Sequence, residues 1–127
     1  YDHPANLFVA QFIGSPKMNI LPCKTDGSNY TIDGGRGGSF AGEATHMGIR
    51  PEHITIGNEG EGELDGTVDV LEYLGADTFV IFDCGAAGQV NVRINGDTDL
   101  TPGMRVGLSF DTSRLHFFDG TGHASKV

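Results

Sequence analysis

Between Gly66 and Phe110 apolar and polar residues alternate with a period of two, and glycine or proline interrupts the run at regular intervals. Val68 and Val70 flank Asp69. Phe79 and Ile81 share one side of the next segment, and Val80 and Phe82 the other. Val90, Val92 and Ile94 alternate with Asn91 and Arg93, and Met104, Val106, Leu108 and Phe110 alternate with Arg105, Gly107 and Ser109. A period of two places successive side chains on opposite faces of a strand, so this region predicts half-buried antiparallel sheet. The breaks at Gly75-Ala76-Asp77, Gly85-Ala86-Ala87-Gly88, Gly96-Asp97 and Pro102-Gly103 supply the turns. Short strands broken this often predict a small barrel or sandwich.

The remainder of the chain extends that pattern. Met18 to Lys24 and Asn29 to Asp33 bracket Asp26-Gly27, a strong hairpin signal. Asp33 to Gly38 is expected to be a flexible loop. Thr45 to Arg50 and His53 to Ile56 read as short strands interrupted by Pro51, and Asn58 to Asp65 as an exposed acidic loop. One segment departs from β periodicity. Pro4 opens a stretch in which Phe8 and Phe12, and Val9 and Ile13, are four residues apart, predicting a short N-terminal helix ended by Gly14-Ser15-Pro16. The chain opens on Tyr1 rather than Met, as expected of a piece of a longer protein.

Composition narrows the function. The formal net charge of −9 repels phosphate backbones, so no nucleic-acid partner is expected. No apolar run approaches the roughly 20 residues of a membrane-spanning helix. Two cysteines, Cys23 and Cys84, are too few for a disulfide framework, and both sit beside apolar residues; two buried free thiols in a reducing cytosol are expected. Gly34 to Ser39 lacks the GxxxxGK[ST] spacing of a phosphate-cradling loop. The five histidines form no pair or Cys/His cluster with metal-ligand spacing, and no GxSxG elbow occurs. Glu59, Glu61 and Glu63 lack the ordered spacing of a calcium loop and are expected to be solvated. No catalytic, cofactor-binding or metal residue is assigned.

Gly48-Ile49-Arg50-Pro51-Glu52-His53 is denser in information. Pro51 removes a backbone donor and biases Arg50 towards extended backbone. In an extended segment Arg50 and Glu52 would project to the same side, to pair with each other or to grip a partner.

That hexapeptide resembles a motif of ABC importer ATPases of the maltose, sugar and glycerol-phosphate class. The resemblance also takes in Phe8-Val9-Ala10 and Phe12-Ile13-Gly14-Ser15-Pro16, then Gly66-Thr67-Val68, Glu72-Tyr73-Leu74-Gly75 and Asp77-Thr78, and finally His116-Phe117-Phe118-Asp119 with Thr121-Gly122. One departure is Phe117, where the family has leucine. The resemblance implies an all-β, small OB-fold-like (TOBE/MOP-like) barrel over residues 17–127, preceded at 1–16 by the end of the nucleotide-binding domain. It implies no cofactor for these residues, with ATP and magnesium belonging to the parent subunit, whose ATPase motifs would lie upstream. The implied partners are a second copy of the ATPase subunit, the membrane permease subunits and a regulatory protein or small ligand, on the cytoplasmic face of the membrane. The turns holding Arg50, Glu52 and His53, and Glu72, Leu74 and Gly75, are the expected framework of a subunit contact. A ligand-sensing role for a sugar, sugar phosphate or oxyanion is the alternative, motivated by Arg36, Arg50 and Arg93; a free-standing enzyme lacks any catalytic constellation to support it.

Overall fold

A computed structural model describes residues 18–119. Ten strands follow one another: β1 (Asn19–Thr25), β2 (Asn29–Ile32), β3 (Gly37–Ser39), β4 (His46–Ile49), β5 (Ile54–Gly57), β6 (Leu64–Leu74), β7 (Asp77–Asp83), β8 (Gln89–Asn95), β9 (Arg105–Phe110) and β10 (His116–Phe118). They form two five-stranded sheets, ordered β10-β4-β1-β2-β3 and β5-β9-β6-β7-β8, with antiparallel neighbours throughout. The all-β expectation holds. The expected N-terminal helix and the 1–16 segment lie outside the described residues.

The alternation explains the core. Val80 and Phe82 of β7, Val90 and Val92 of β8 and Leu108 of β9 are fully buried, and they meet Leu21, Ile32, Met47 and Ile49 of the first sheet in one cluster. Each such side chain contributes about 1.5–3 kcal/mol of hydrophobic stabilisation. β6 makes the second sheet curl. Its first residues, Leu64 to Thr67, pair with β9, whereas Thr67 to Leu74 pair with β7.

Three local expectations are corrected. Val68 and Val70 do not share a face. A β-bulge lies between them, so Val68 enters the core opposite Phe82 while Val70, opposite Ile81, is 43% exposed; one extra residue reverses the parity of everything after it. Met104, expected inward by alternation, is also exposed, because β9 begins only at Arg105. The glycine-rich loop is not free. Gly37–Ser39 pairs with β2, and the Arg36 N–H donates to the Glu63 carbonyl at 2.8 Å.

Gly48 shows why the dense motif starts with glycine. A Cβ there would collide with Met18 Sδ and crowd the Phe118 ring, which pack over β4. Phe117, the family departure, stacks on Phe40 with ring centroids 3.9 Å apart and meets Tyr30 edge-on at 5.1 Å.

The two sheets are joined by a side chain. Asn19 Nδ2 donates to the Asn91 carbonyl, and Asn19 Oδ1 accepts the Asn91 N–H, both at 2.8 Å, across 72 residues of sequence. The carboxamide makes the pair of bonds a neighbouring strand would make with the edge of β8. Asn19→Ala should lower unfolding stability by about 2 kcal/mol, since two bonds go and Asn91 loses its partners; urea denaturation checks this. Phe117→Leu should cost about 1 kcal/mol through loss of the ring contacts.

Burial pushes the Cys23 and Cys84 thiols up from 9.0 to about 11. A raised thiol pKa means that the unfolded chain deprotonates first. Stability should therefore fall as pH rises from 9 towards 11, and both thiols should resist a thiol reagent at pH 8 until the protein is denatured. Asp26 is held below its ordinary value by the N–H groups of Ser28 and Asn29, and Asp111 by the Ser113 hydroxyl and N–H. Their contribution is present above about pH 3.8 and should be lost as pH falls through the lower folded values. Thermal melts across both pH ranges test these signs.

Candidate functional site

The dense motif folds as a 3-10 turn, Pro51–His53, rather than as continuous strand. Arg50 keeps the extended backbone that a following proline imposes, with φ −76° and ψ 148°. Its side chain goes inward and the residue is only 3% exposed, whereas Glu52 is exposed. The turn thus sends Arg50 and Glu52 to different environments, correcting the expectation that they project together. His53 is half-buried. Its carbonyl accepts the Asp111 N–H at 3.0 Å, and its ring Nδ1 is buried without a hydrogen-bond partner among the described residues.

Glu72, Leu74 and Gly75 lie together at the tip of the β6–β7 hairpin. Leu74 faces Asp77 across a two-residue turn, and Gly75 takes a φ of +68°, which a first turn position of this kind requires. The outward face of β6, β7 and β8 carries cross-strand rows fixed by register. Val70, Ile81 and Asn91 form one; Glu72, Phe79 and Arg93 the next; Leu74, Asp77 and Asn95 the last. Glu72, Leu74, Phe79, Ile81 and Asn91 line a shallow groove of about 270 Å³ on this face. Leu74 is 51% exposed, and Tyr73 beside it 65%. Large apolar side chains concentrated on one exposed hairpin are an interaction signature, because isolated ones scatter.

Arg93 was missed as a site residue by sequence reasoning, except as one of three scattered cations. Its Nε donates to Asp77 Oδ2 at 2.9 Å, and the Asp77 bond and charge, with a contribution from Glu52, raise its pKa. From the Pro51–His53 turn, Glu52 contributes charge alone to this pair. The signal was present only as register. Asp77 and Arg93 are 16 apart in sequence and become neighbours once β7 and β8 pair.

The three arginines do not form a shared anion site. The Arg36 guanidinium donates to the Gly62 carbonyl, Arg93 is held by Asp77, and Arg50 is buried. The acidic loop is likewise engaged. Glu59 bonds Arg105 at 2.7 Å, Glu61 accepts the Asn58 N–H, Glu63 accepts the Phe110 N–H at 2.6 Å, and Asp65 accepts the Gly60 N–H. These carboxylates order the loop; Glu59 and Glu61 are exposed, as expected of a solvated acidic loop, and Glu63 is half-buried. No group of three metal-ligating side chains converges among the described residues. No helix among them is long and apolar enough to cross a membrane.

Comparison with known proteins follows the same outline. Residues 47–118 match the TOBE domain, and residues 14–54 the MalK OB fold domain. The chain is 40% identical to the C-terminal part of the sn-glycerol-3-phosphate import ATP-binding protein UgpC of Escherichia coli strain K12, over 94% of this chain. The same protein of Shigella sonnei gives the same identity and coverage. The chain spans 36% of the length of these relatives. Among solved structures, the cytoplasmic molybdate-binding protein ModG superposes with a TM-score of 0.55 over 81% of this chain and 95% of that one, at 13% identity, so the likeness is one of fold. A buried motif arginine ahead of a proline turn, curled antiparallel sheets and the match over 47–118 make this chain a member of the TOBE domain family.

Proposed function

We propose that the chain is the C-terminal part of the ATP-binding subunit of an ABC importer for a sugar, a sugar phosphate or a related solute, and that it serves as a regulatory and dimer-contact domain. Support for the parent class comes from the 40% identity to an import ATP-binding protein over nearly the whole chain. Support for a contact role comes from the outward β6–β8 face. Exposed Leu74 and Val70 and half-buried Phe79 and Ile81 sit there beside Glu72 and the Arg93–Asp77 pair. An apolar centre with charged neighbours is the composition of a protein–protein contact. A two-fold pairing of this face would set the apolar centres together and hold two ATPase subunits at one end while their nucleotide domains open and close. The partners would be a second such subunit and, through the ATPase domain, membrane permease subunits. ATP and magnesium would be bound by that ATPase domain, at the cytoplasmic face of the membrane.

The ligand-sensing alternative draws on the fold shared with ModG, whose name records molybdate binding. The arginines that motivated it are already engaged or buried, so it has the weaker support here.

Sedimentation equilibrium of the 127-residue chain should show concentration-dependent dimerisation at high micromolar concentration. Leu74→Glu should weaken it at least tenfold while leaving the circular dichroism unchanged, since an exposed hairpin position tolerates charge. A folded chain that stays monomeric through that range, or a Leu74→Glu variant that dimerises equally well, would reject this contact face. Millimolar ATP with magnesium should leave the melting temperature of this chain unchanged, which differential scanning calorimetry tests.

A further inference from the structure

The outward face of β6–β8 carries its charges in a definite order. Past Val68, β6 pairs with β7 alone, so β7 is the middle strand of a three-stranded ribbon. Register sets Glu72, Phe79 and Arg93 in one row across it, which reads acid, ring, base. The rows on either side follow the same polarity. Val70, Glu72 and Leu74 on β6 supply aliphatic groups and a carboxylate, whereas Asn91, Arg93 and Asn95 on β8 supply amides and a guanidinium.

Within one chain the two ends of the central row do not meet. Glu72 and Arg93 are two strand spacings apart, about 9.5 Å, with the Phe79 ring between them. Arg93 is held by Asp77 and feels the charge of Glu52 more weakly. Glu72 is exposed and makes no hydrogen bond or ion pair among the described residues. The Arg93 side chain keeps 38% of its surface exposed beside Asp77, and a guanidinium has five donors, so it can take a second carboxylate.

Two sheets laid face to face pack about 10 Å apart with strand directions within about 30° of each other. A two-fold axis between them can run across the strands or along β7. An axis across the strands lays each strand over its own counterpart, which sets Glu72 over Glu72 and Arg93 over Arg93. An axis along β7 exchanges β6 with β8. Glu72 of each copy then lies over Arg93 of the other, Phe79 meets its counterpart on the axis, and every contact is made twice.

We infer that the occupant of this face is a second copy of the same chain, related by a two-fold axis along β7, with Glu72 of each copy paired to Arg93 of the other. The self-complementary row identifies the occupant, because a surface of one sign would satisfy only one end of it. This inference rests on the contact role proposed above and adds to it the axis and the ion pair that fixes the axis. Each Arg93 lies between its own Asp77 and Glu72 of the second copy. Net charge alone argues the opposite way. The row and its neighbour carry two acids, Glu72 and Asp77, against one Arg93, so an unpaired Glu72 would only repel and its neutralisation would tighten association.

Sedimentation equilibrium of the 127-residue chain separates the two. Glu72→Gln should weaken dimerisation about fivefold, since one substitution removes two symmetric pairs. Charge reversals are made with Asp77→Asn in place, so that a new carboxylate does not face Asp77. There, Glu72→Arg alone and Arg93→Glu alone should each weaken the dimer about tenfold, and both together should restore it to within about threefold. With an axis across the strands, the doubly reversed chain still sets like charges over each other and recovers nothing. Circular dichroism checks that each variant is folded; if the reversed chain is not, Glu72→Gln decides alone. Unchanged or tighter dimerisation of Glu72→Gln, or no recovery in a folded doubly reversed chain, overturns the axis and its ion pair. The contact face itself survives that result if Leu74→Glu still weakens the dimer. A folded chain that stays monomeric overturns both.

Discussion

The Asn19–Asn91 clamp is the constraint on which the two-sheet arrangement depends. Two curled sheets with a shared core leave edges where backbone groups meet no strand, and buried backbone groups without partners are costly. Asn19 answers this at one point with a side chain shaped like a peptide group, making both bonds to the edge of β8 at 2.8 Å. The first strand of one sheet is thereby tied to the last-ordered strand of the other, and Leu21 and Met47 are brought onto Val80 and Val92 in a common core. Other loops do similar work with charged groups. Arg36 reaches the Gly62 carbonyl, and Glu63 caps Phe110. Acidic and basic residues here act largely as backbone partners, which is a structural use of charge in a chain of net charge −9.

The bulge between Val68 and Val70 has a different consequence. Before it, β6 contributes Val68 to the core; after it, the same strand turns Val70 outward on the face that also carries Leu74, Phe79 and Ile81. A single inserted residue thus gives one long strand two roles, core element and surface. That is why an apolar hairpin tip can stand in water on an otherwise well-buried sheet, and it gives the outward face its character as a contact surface.

Much of this was legible from residues alone. The alternation of Val90 and Val92, and of Val80 and Phe82, located strands whose core-facing members are those found buried, with Ile94 half-buried at the end of its strand. Asp26-Gly27 and Gly75-Ala76 marked hairpins that formed. The dense motif around Arg50 pointed to the right family, and the match over residues 47–118 bears that out. Less legible were features that need two distant segments at once. Gly37–Ser39 has little strand propensity of its own and becomes a strand because Tyr30 and its neighbours offer a ladder. Arg93 meets Asp77 only after β7 and β8 pair.

The sequence by itself determined the secondary-structure class, the turn positions, most of the core and the family, because period-two alternation, turn chemistry and short motifs are local properties of the chain. Tertiary structure alone decided which of two parities β6 follows after its bulge, that Arg50 lies inside while Glu52 lies outside, and that the acidic loop spends its carboxylates on backbone donors. It also decided that β5 and β8 end as facing edges with a cleft between them. These outcomes turn on pairings between residues tens of positions apart, whose free energy exists only once the sheets have met, so no local pattern can carry them.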